Sequence, residues 1–267
     1  MRNTIYDVLK NGKIDIKKEY SRIYDLFYEV PFEQDYGQVV TIQDVVNEYF
    51  GMLNFSLIGR CLSLEDFDES YGYHFVPQPQ DFSLETLISI SEYTINFIQA
   101  LMMVGRFEVK TLHKMMMHIQ SCMEDVGFKQ LNKEGIIIFV ENNPAAISVA
   151  EIADQDLSYS ILEYNHYRLR GDLERKKAIL KNMADDIEPE RKLLNGINKN
   201  FASDLFQLMN KFIRHNNSEN EYIANLPDSN IETIYDDIYQ MWLLAKLQLE
   251  YVKKSQNISN LIKEIND

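Results

Sequence analysis

Only two cysteines, Cys61 and Cys122, occur in the 267 residues, and neither has a second cysteine at a ligand-like spacing. That scarcity excludes a disulfide framework and a zinc ribbon, and it fits a reducing compartment, so a cytoplasmic location is expected. Glycine and proline are sparse as well, at ten and six. An all-β protein needs more turn residues than this, so helices should dominate. Positive charge is the minority sign, with 27 Lys and Arg against 41 Asp and Glu and a net charge of −14. The mean field therefore repels phosphates and opposes non-specific binding to nucleic acid.

Long apolar runs are missing too. The first twenty residues, MRNTIYDVLKNGKIDIKKEY, mix charges into their apolar positions and are not patterned as a signal peptide. The greasiest stretch, residues 87–104, contains Glu92, Asn96 and Gln99, which points to a buried helix rather than a membrane span. No glycine-rich phosphate loop is present. His113 and His118 are five apart, about 140° around a helix, so they do not form a metal pair; neither a metal nor a cofactor is expected. His118 and Cys122 are four apart amid Met115, Met116, Met117, Ile119 and Met123, a pattern of an apolar core face rather than of a nucleophile and its base.

What the chain does have is apolar residues, 45% of the total, enough to bury one large core or two small ones. Periodicity predicts helices over 17–30, 41–58, 84–105, 111–126, 145–153, 156–184, 188–215 and 231–264. The segment YGYHFVPQPQDF, with Pro77 and Pro79, reads as an extended connector and sets a boundary near residue 80. Gly127 stops a helix, and FKQLNKEGIIIFVENN follows with the turn residues 132–135 between two β-prone runs. The expected fold is mainly α, a helical bundle with a small β-hairpin insert near 128–140. Three segments are expected: acidic helices in 1–80, helices plus the hairpin in 81–155, and a helical bundle in 156–267.

Charge is uneven along the chain. Residues 166–181 carry Arg168, Arg170, Arg175, Lys176, Lys177 and Lys181 against Asp172 and Glu174, whereas residues 25–92 are acidic with Arg60 as the sole basic residue. A phosphate-bearing partner would approach the second half, over Arg168, Arg175 and Lys176; the same run also reads as a solvated helix face. Leu162, His166, Leu169, Leu173 and Leu180 recur at helical spacing, so His166 points inward, either as a core histidine bonded to a carbonyl or as a proton-transfer group. In the next helix Ala202, Leu205, Phe206, Met209, Phe212 and Ile213 form the apolar face. Gln207, Asn210, Arg214 and Asn217 make a polar stripe beside it, with His215 leaning inward. Arg214, His215, Asn216 and Asn217 also read as helix punctuation, basic residues at the negative end of the dipole followed by an Asn cap. The last helix places Tyr235, Ile238, Tyr239, Trp242 and Leu249 on one face, and Asp236 beside it is the carboxylate nominated to orient His215 or to pair with Arg214.

The segments ILEYNHYRLRGDLERKKAIL (161–180), FQLMNKFIRHNN (206–217) and IYDDIYQMWLLAKLQLE (234–250) resemble a bacterial family of abortive-infection, HEPN-type helical proteins, in order and over about the second half of the chain. The resemblance implies a helical bundle, commonly a homodimer, and metal-independent cleavage of RNA in antiphage defence or toxin–antitoxin systems. The family's usual motif is an Arg, four to six intervening residues and a His; here Arg214 is followed at once by His215. Matched to the family's cluster, Asn210, Arg214 and His215 would be the catalytic set, with His166 as a second proton-transfer group and Asn216 contacting RNA. The chemistry would be attack of a ribose 2′-hydroxyl on the adjacent phosphate, with His215 moving protons and Arg214 stabilising the developing charge. The alternative expectation is a non-catalytic interaction component, antitoxin-like, that meets a protein partner through its acidic N-terminal half.

Overall fold

The computed structural model describes residues 14–33, 39–105, 109–214, 223 and 225–266. The fold is mainly α with one substantial β-hairpin. The chain divides into two compact units, one running to Glu141 and the other beginning at Asn142. The three segments expected from composition fall differently: residues on both sides of position 80 belong to the first unit, because its first helix packs on its longest one.

In the first unit, α1 (Ile16–Tyr28) is capped by Asp15, whose side chain accepts from Lys18 N at 3.2 Å, and it buries Tyr20, Ile23, Tyr24 and Phe27. The buried residues recur at steps of three, one and three, a single helical face. The short strands β1 (Phe32–Glu33) and β2 (Val39–Val40) pair antiparallel. Helix α2 (Ile42–Tyr49) starts in a capping box between Thr41 and Asp44. The helix expected over 41–58 breaks after it, into a 3₁₀ turn at Phe50–Met52 and a single turn, α3 (Phe55–Ile58). Gly51 is a poor helix former, and the Asn54 side chain accepts from Ser56 N, restarting the chain as a cap. Helix α4 (Leu64–Tyr71) was not foreseen; Ser63 caps it, and Gly72 closes it at φ +70.

Helix α5 (Leu84–Val104) is the centre of this unit. It is long and apolar enough to cross a membrane, yet 72% of its most apolar window is buried against its own unit. Helices α1 and α2, helix α6 (Val109–Asp125) and the hairpin surround it. Strands β3 (Phe128–Lys133) and β4 (Ile136–Glu141) pair in register from Phe128 opposite Glu141 to Lys133 opposite Ile136. Their two-residue loop has positive φ at both Glu134 (55°) and Gly135 (83°), as the right-handed strand twist demands of a tight hairpin.

The polar residues of α5 find their reason here. Asn96 Nδ2 donates to Ile137 O at 2.7 Å and its Oδ1 accepts from Ile137 N at 2.8 Å. Glu92 accepts from Phe139 N at 2.6 Å, and Gln99 donates to Gly135 O at 2.7 Å. Spaced at i, i+4 and i+7 on one stripe, the three side chains take the place of a third strand along the free edge of β4.

In the second unit, α7 (Pro144–Ala150) begins with Asn143 as cap and Pro144 at its first position. Helix α8 (Gln155–Glu163) and helix α9 (Leu173–Ile187) replace the single helix expected over 156–184. Between them lie a 3₁₀ turn at Tyr167–Leu169 and Gly171 at φ +76, after which Asp172 caps α9. The helix expected over 188–215 divides as well, into a 3₁₀ turn at Glu188–Glu190, α10 (Arg191–Ile197), α11 (Lys199–Leu208) and a π-helical segment at Met209–Arg214. Asn198, extended at φ −150, supplies the break by accepting from Phe201 N at 3.1 Å. Helix α12 (Asp228–Asn266) is the spine, packed against α7, α9, α10 and α11, with Tyr235, Ile238, Tyr239, Trp242 and Leu249 buried as expected.

Candidate functional site

The last turns of helix α9 carry carbonyls that side chains from later in the chain reach. Two side chains take them. The Trp242 indole donates to Met183 O at 2.7 Å, and Arg214 Nη2 donates to Ala184 O at 3.3 Å. The same Arg214 nitrogen lies 2.9 Å from Glu188 Oε2 and 3.7 Å from Asp185 Oδ1, while Nη1 reaches Asn210 Oδ1 at 3.3 Å. The guanidinium is thus at the negative end of a helix and against two carboxylates, and its side chain is 30% exposed. Asn210 and Arg214 come together as their spacing predicts.

Lys176 takes a different place from the one expected. It was assigned to an exposed RNA-binding face, and its residue is only 5% exposed. Its ammonium donates to Asp236 Oδ1 at 2.8 Å and lies 2.8 Å from Glu232 Oε1. It also lies 5.1 Å from the Tyr164 ring centroid. The physical reason is that Lys176 lies one turn into α9 on the side that packs against α12, where Glu232 and Asp236 stand four residues apart on one face. Glu232 additionally accepts from Gly171 N at 2.8 Å, fixing the loop that starts α9. Burial raises the Glu232 carboxyl, but the bonds from Lys176 and Gly171 and the charges of Lys176 and Arg170 outweigh it and hold it below the usual carboxylate range.

Asp236 is therefore the partner of Lys176 and of the Tyr164 hydroxyl, which donates to it at 3.0 Å, whereas Arg214 is countered by Glu188 and Asp185. Tyr164 stacks on Tyr239 with centroids 4.1 Å apart. Burial first, then the Asp236 charge, pushes the Tyr164 phenol up, so it stays a proton donor. Tyr239 donates to Ile161 O at 2.7 Å and accepts from Asn165 at 3.1 Å. The arrangement is a connected polar network in which the buried Lys176, Tyr164 and Tyr239 are tied to the exposed Asp236 and the partly exposed Glu232 and Asn165.

His166 is buried, as its spacing predicts, with its ring 4.6 Å from that of Tyr167; it sits in the 163–169 turn rather than on a helix face. Arg175 holds Glu163 in a two-pronged pair at 2.9 and 3.2 Å and is half-exposed. Arg168 is exposed, and its Nε donates to the Tyr167 hydroxyl at 3.1 Å. His215 and Asn216 lie outside the described residues, as does Asn217. In the first unit His118 is exposed and 3.8 Å from Glu19, not on the apolar face expected for it. Cys122 is buried, and burial, then the charges of Glu19 and Asp125, push its thiol up to about 12, away from nucleophilic use.

Sequence reasoning missed Glu232, Tyr164, Glu188 and Asp185. The i, i+4 spacing of Glu232 and Asp236 was a visible signal, hidden among 41 acidic residues. Among the described residues no three His, Cys, Asp or Glu side chains are grouped to hold a metal ion. What the fold defines is a class, a mainly α protein of two units with a helix-locked hairpin. No family model, curated protein or solved structure matches the chain.

Proposed function

We propose that this chain is a non-catalytic interaction component on a HEPN-like helical scaffold, meeting a basic protein partner through its acidic first half. The carrying observation is that, Arg168 apart, whose Nε is bonded to the Tyr167 hydroxyl, the cations of the candidate site already have carboxylate partners: Arg214 has Glu188 and Asp185, Lys176 has Glu232 and Asp236, and Arg175 has Glu163. A phosphate would have to displace a carboxylate at each one, whereas transition-state stabilisation needs donors already aimed at the developing charge. The net charge of −14 and the acidic run over 25–92 supply the complementary field for a basic partner. The setting in antiphage defence or a toxin–antitoxin pair comes from the resemblance alone.

The test is crosslinking and capture of the full-length chain in its source cells. A basic partner should crosslink to residues 14–141 and be released by the double reversal Glu65→Lys with Glu69→Lys. Crosslinks confined to residues 142–267, or a partner indifferent to the reversal, would refute the reading.

A second reading, a metal-independent endoribonuclease using Arg214, His215, Asn210 and His166, has one observation in its favour. The segment holding Asn210 and Arg214 is π-helical, a rare conformation that concentrates at functional sites. RNA cleavage in EDTA that disappears in Arg214→Ala and His215→Ala variants would establish it.

A further inference from the structure

The first unit contains an open cleft of about 480 Å³ on whose walls stand Tyr28, Gln43, Asp68, Tyr73, His74 and Phe75, with Glu65 and Glu69 exposed beside them. Its shape follows from the end of α4. Gly72 turns the chain back in the left-handed region, Tyr73 N donates to Asp68 O at 2.9 Å, and Tyr73 then stacks on Phe67 at 5.7 Å. Residues 73–75 are thereby folded against the helix that carries Asp68.

Three properties of the cleft belong together. Its charge is uncompensated: no Lys or Arg lines it, and Arg60 is the sole basic residue between 25 and 92. Its carboxylate is fixed, because the Tyr93 hydroxyl donates to Asp68 Oδ1 at 2.9 Å. Its wall is aromatic: Tyr73 and Phe75 stack at 5.7 Å, and each lies edge-on to the buried Tyr93 ring, at 5.1 and 5.0 Å. A metal ion is a poor match, since no three ligating side chains converge among the described residues. A fixed carboxylate beside π-faces, with room for several carbons, is the chemistry that recognises organic cations.

We propose that this cleft binds an organic cation, an ammonium or guanidinium group that meets Asp68 with its charge and lays its carbon chain along Tyr28, Tyr73 and Phe75. The cation can be a free amine or the end of a lysine or arginine side chain; only the second source rests on the interaction reading above. Burial holds the Asp68 carboxyl at about 6, against the Tyr93 hydrogen bond and the nearby His74, both of which lower it. Binding therefore strengthens as the pH rises through about 6, where Asp68 becomes charged. The other ionisable groups around it are His74, Glu65, Glu69 and the Tyr28 and Tyr93 phenols, which burial keeps protonated.

The test is calorimetric titration of the full-length chain with n-butylammonium, n-butylguanidinium, spermidine and a capped Ala-Arg-Ala peptide, with n-butanol as the neutral isostere. The cations should saturate at least about tenfold more tightly than n-butanol and lose about that factor at pH 5 or in Asp68→Asn. That variant keeps an acceptor for Tyr93, and an unchanged circular dichroism spectrum checks its fold. Tyr73→Leu, which keeps the carboxylate, should weaken the cations severalfold. No saturable binding of any cation, equal binding of n-butanol, or undiminished binding by Asp68→Asn overturns the proposal. Spermidine or peptide as the tighter ligand identifies the source. Cation binding without a captured partner, or a partner without cation binding, separates this inference from the interaction reading.

Discussion

Replacing Asn96 by Leu removes a group of almost the same volume and asks what that group was holding. Asn96 is 7% exposed, and Ile137, whose amide and carbonyl it serves, is fully buried. Leu fills the space but leaves an N–H and a C=O on the edge of β4 with neither strand nor water as partner. An unsatisfied buried polar group costs about 1–3 kcal/mol, so the pair should cost about 2–5 kcal/mol after some relaxation. With a urea dependence of about 1–3 kcal/mol per molar, the midpoint of the transition that reports the first unit falls by about 1–3 M. Hydrogen exchange localises the effect. The Ile137 amide should lose protection by more than the Phe139 amide, which Glu92 still accepts. A midpoint shift below about 0.3 M, or equal loss at both amides, would show that the helix does not complete the edge of the hairpin.

Breaking the Lys176 network should be asymmetric. Lys176→Met leaves Glu232 and Asp236, both within reach of water, and costs about 1–2 kcal/mol, whereas Glu232→Gln with Asp236→Asn strands a buried ammonium and costs about 3–5 kcal/mol. Equal losses in denaturant titration would mean that Lys176 reaches solvent. The lowered Glu232 carboxyl contributes stability that is fully present above its ordinary value of 4.5 and fades as the pH falls below it; Glu232→Gln should flatten that acid limb. Asp68 acts with the opposite sign. Held at about 6 rather than 3.8, it costs stability above pH 6, and the cost vanishes as the pH falls towards 3.8. Asp68→Asn should raise stability at pH 7 by on the order of 1 kcal/mol, discounted for its partial exposure, and leave pH 4 unchanged. A variant less stable at pH 7 would contradict this. Iodoacetamide should label Cys61 and reach Cys122 only on unfolding, as mass spectrometry of the two peptides would show.

Long periodic segments were legible in the sequence, and helices broken by side-chain competition were not. The face of Tyr235, Ile238, Tyr239 and Trp242 and the hairpin around Gly135 follow from spacing and turn chemistry, which are local properties. Asn54, Asp172 and Asn198 start new helices inside the expected ones because their side chains cap the amides that follow, and an Asn or Asp within a helical pattern does not announce that on its own. The polar residues in α5 were rightly taken as evidence against a lipid-facing helix, but their partner strand begins some forty residues later. In the site, the stripe of Asn210 and Arg214 was readable from its period. The identity of the carboxylates was not, because many candidates of equal local merit compete and tertiary packing alone selects Glu188 for Arg214 and Asp236 for Lys176.

The central claim is that Arg175, Lys176 and Arg214 are bound by the protein's own carboxylates and do no phosphate chemistry. The most direct measurement is incubation of the purified full-length chain with labelled total RNA in EDTA, beside an Arg214→Ala variant. The account predicts no cleavage above the buffer control from either protein. Cleavage by the wild type that Arg214→Ala abolishes would contradict it.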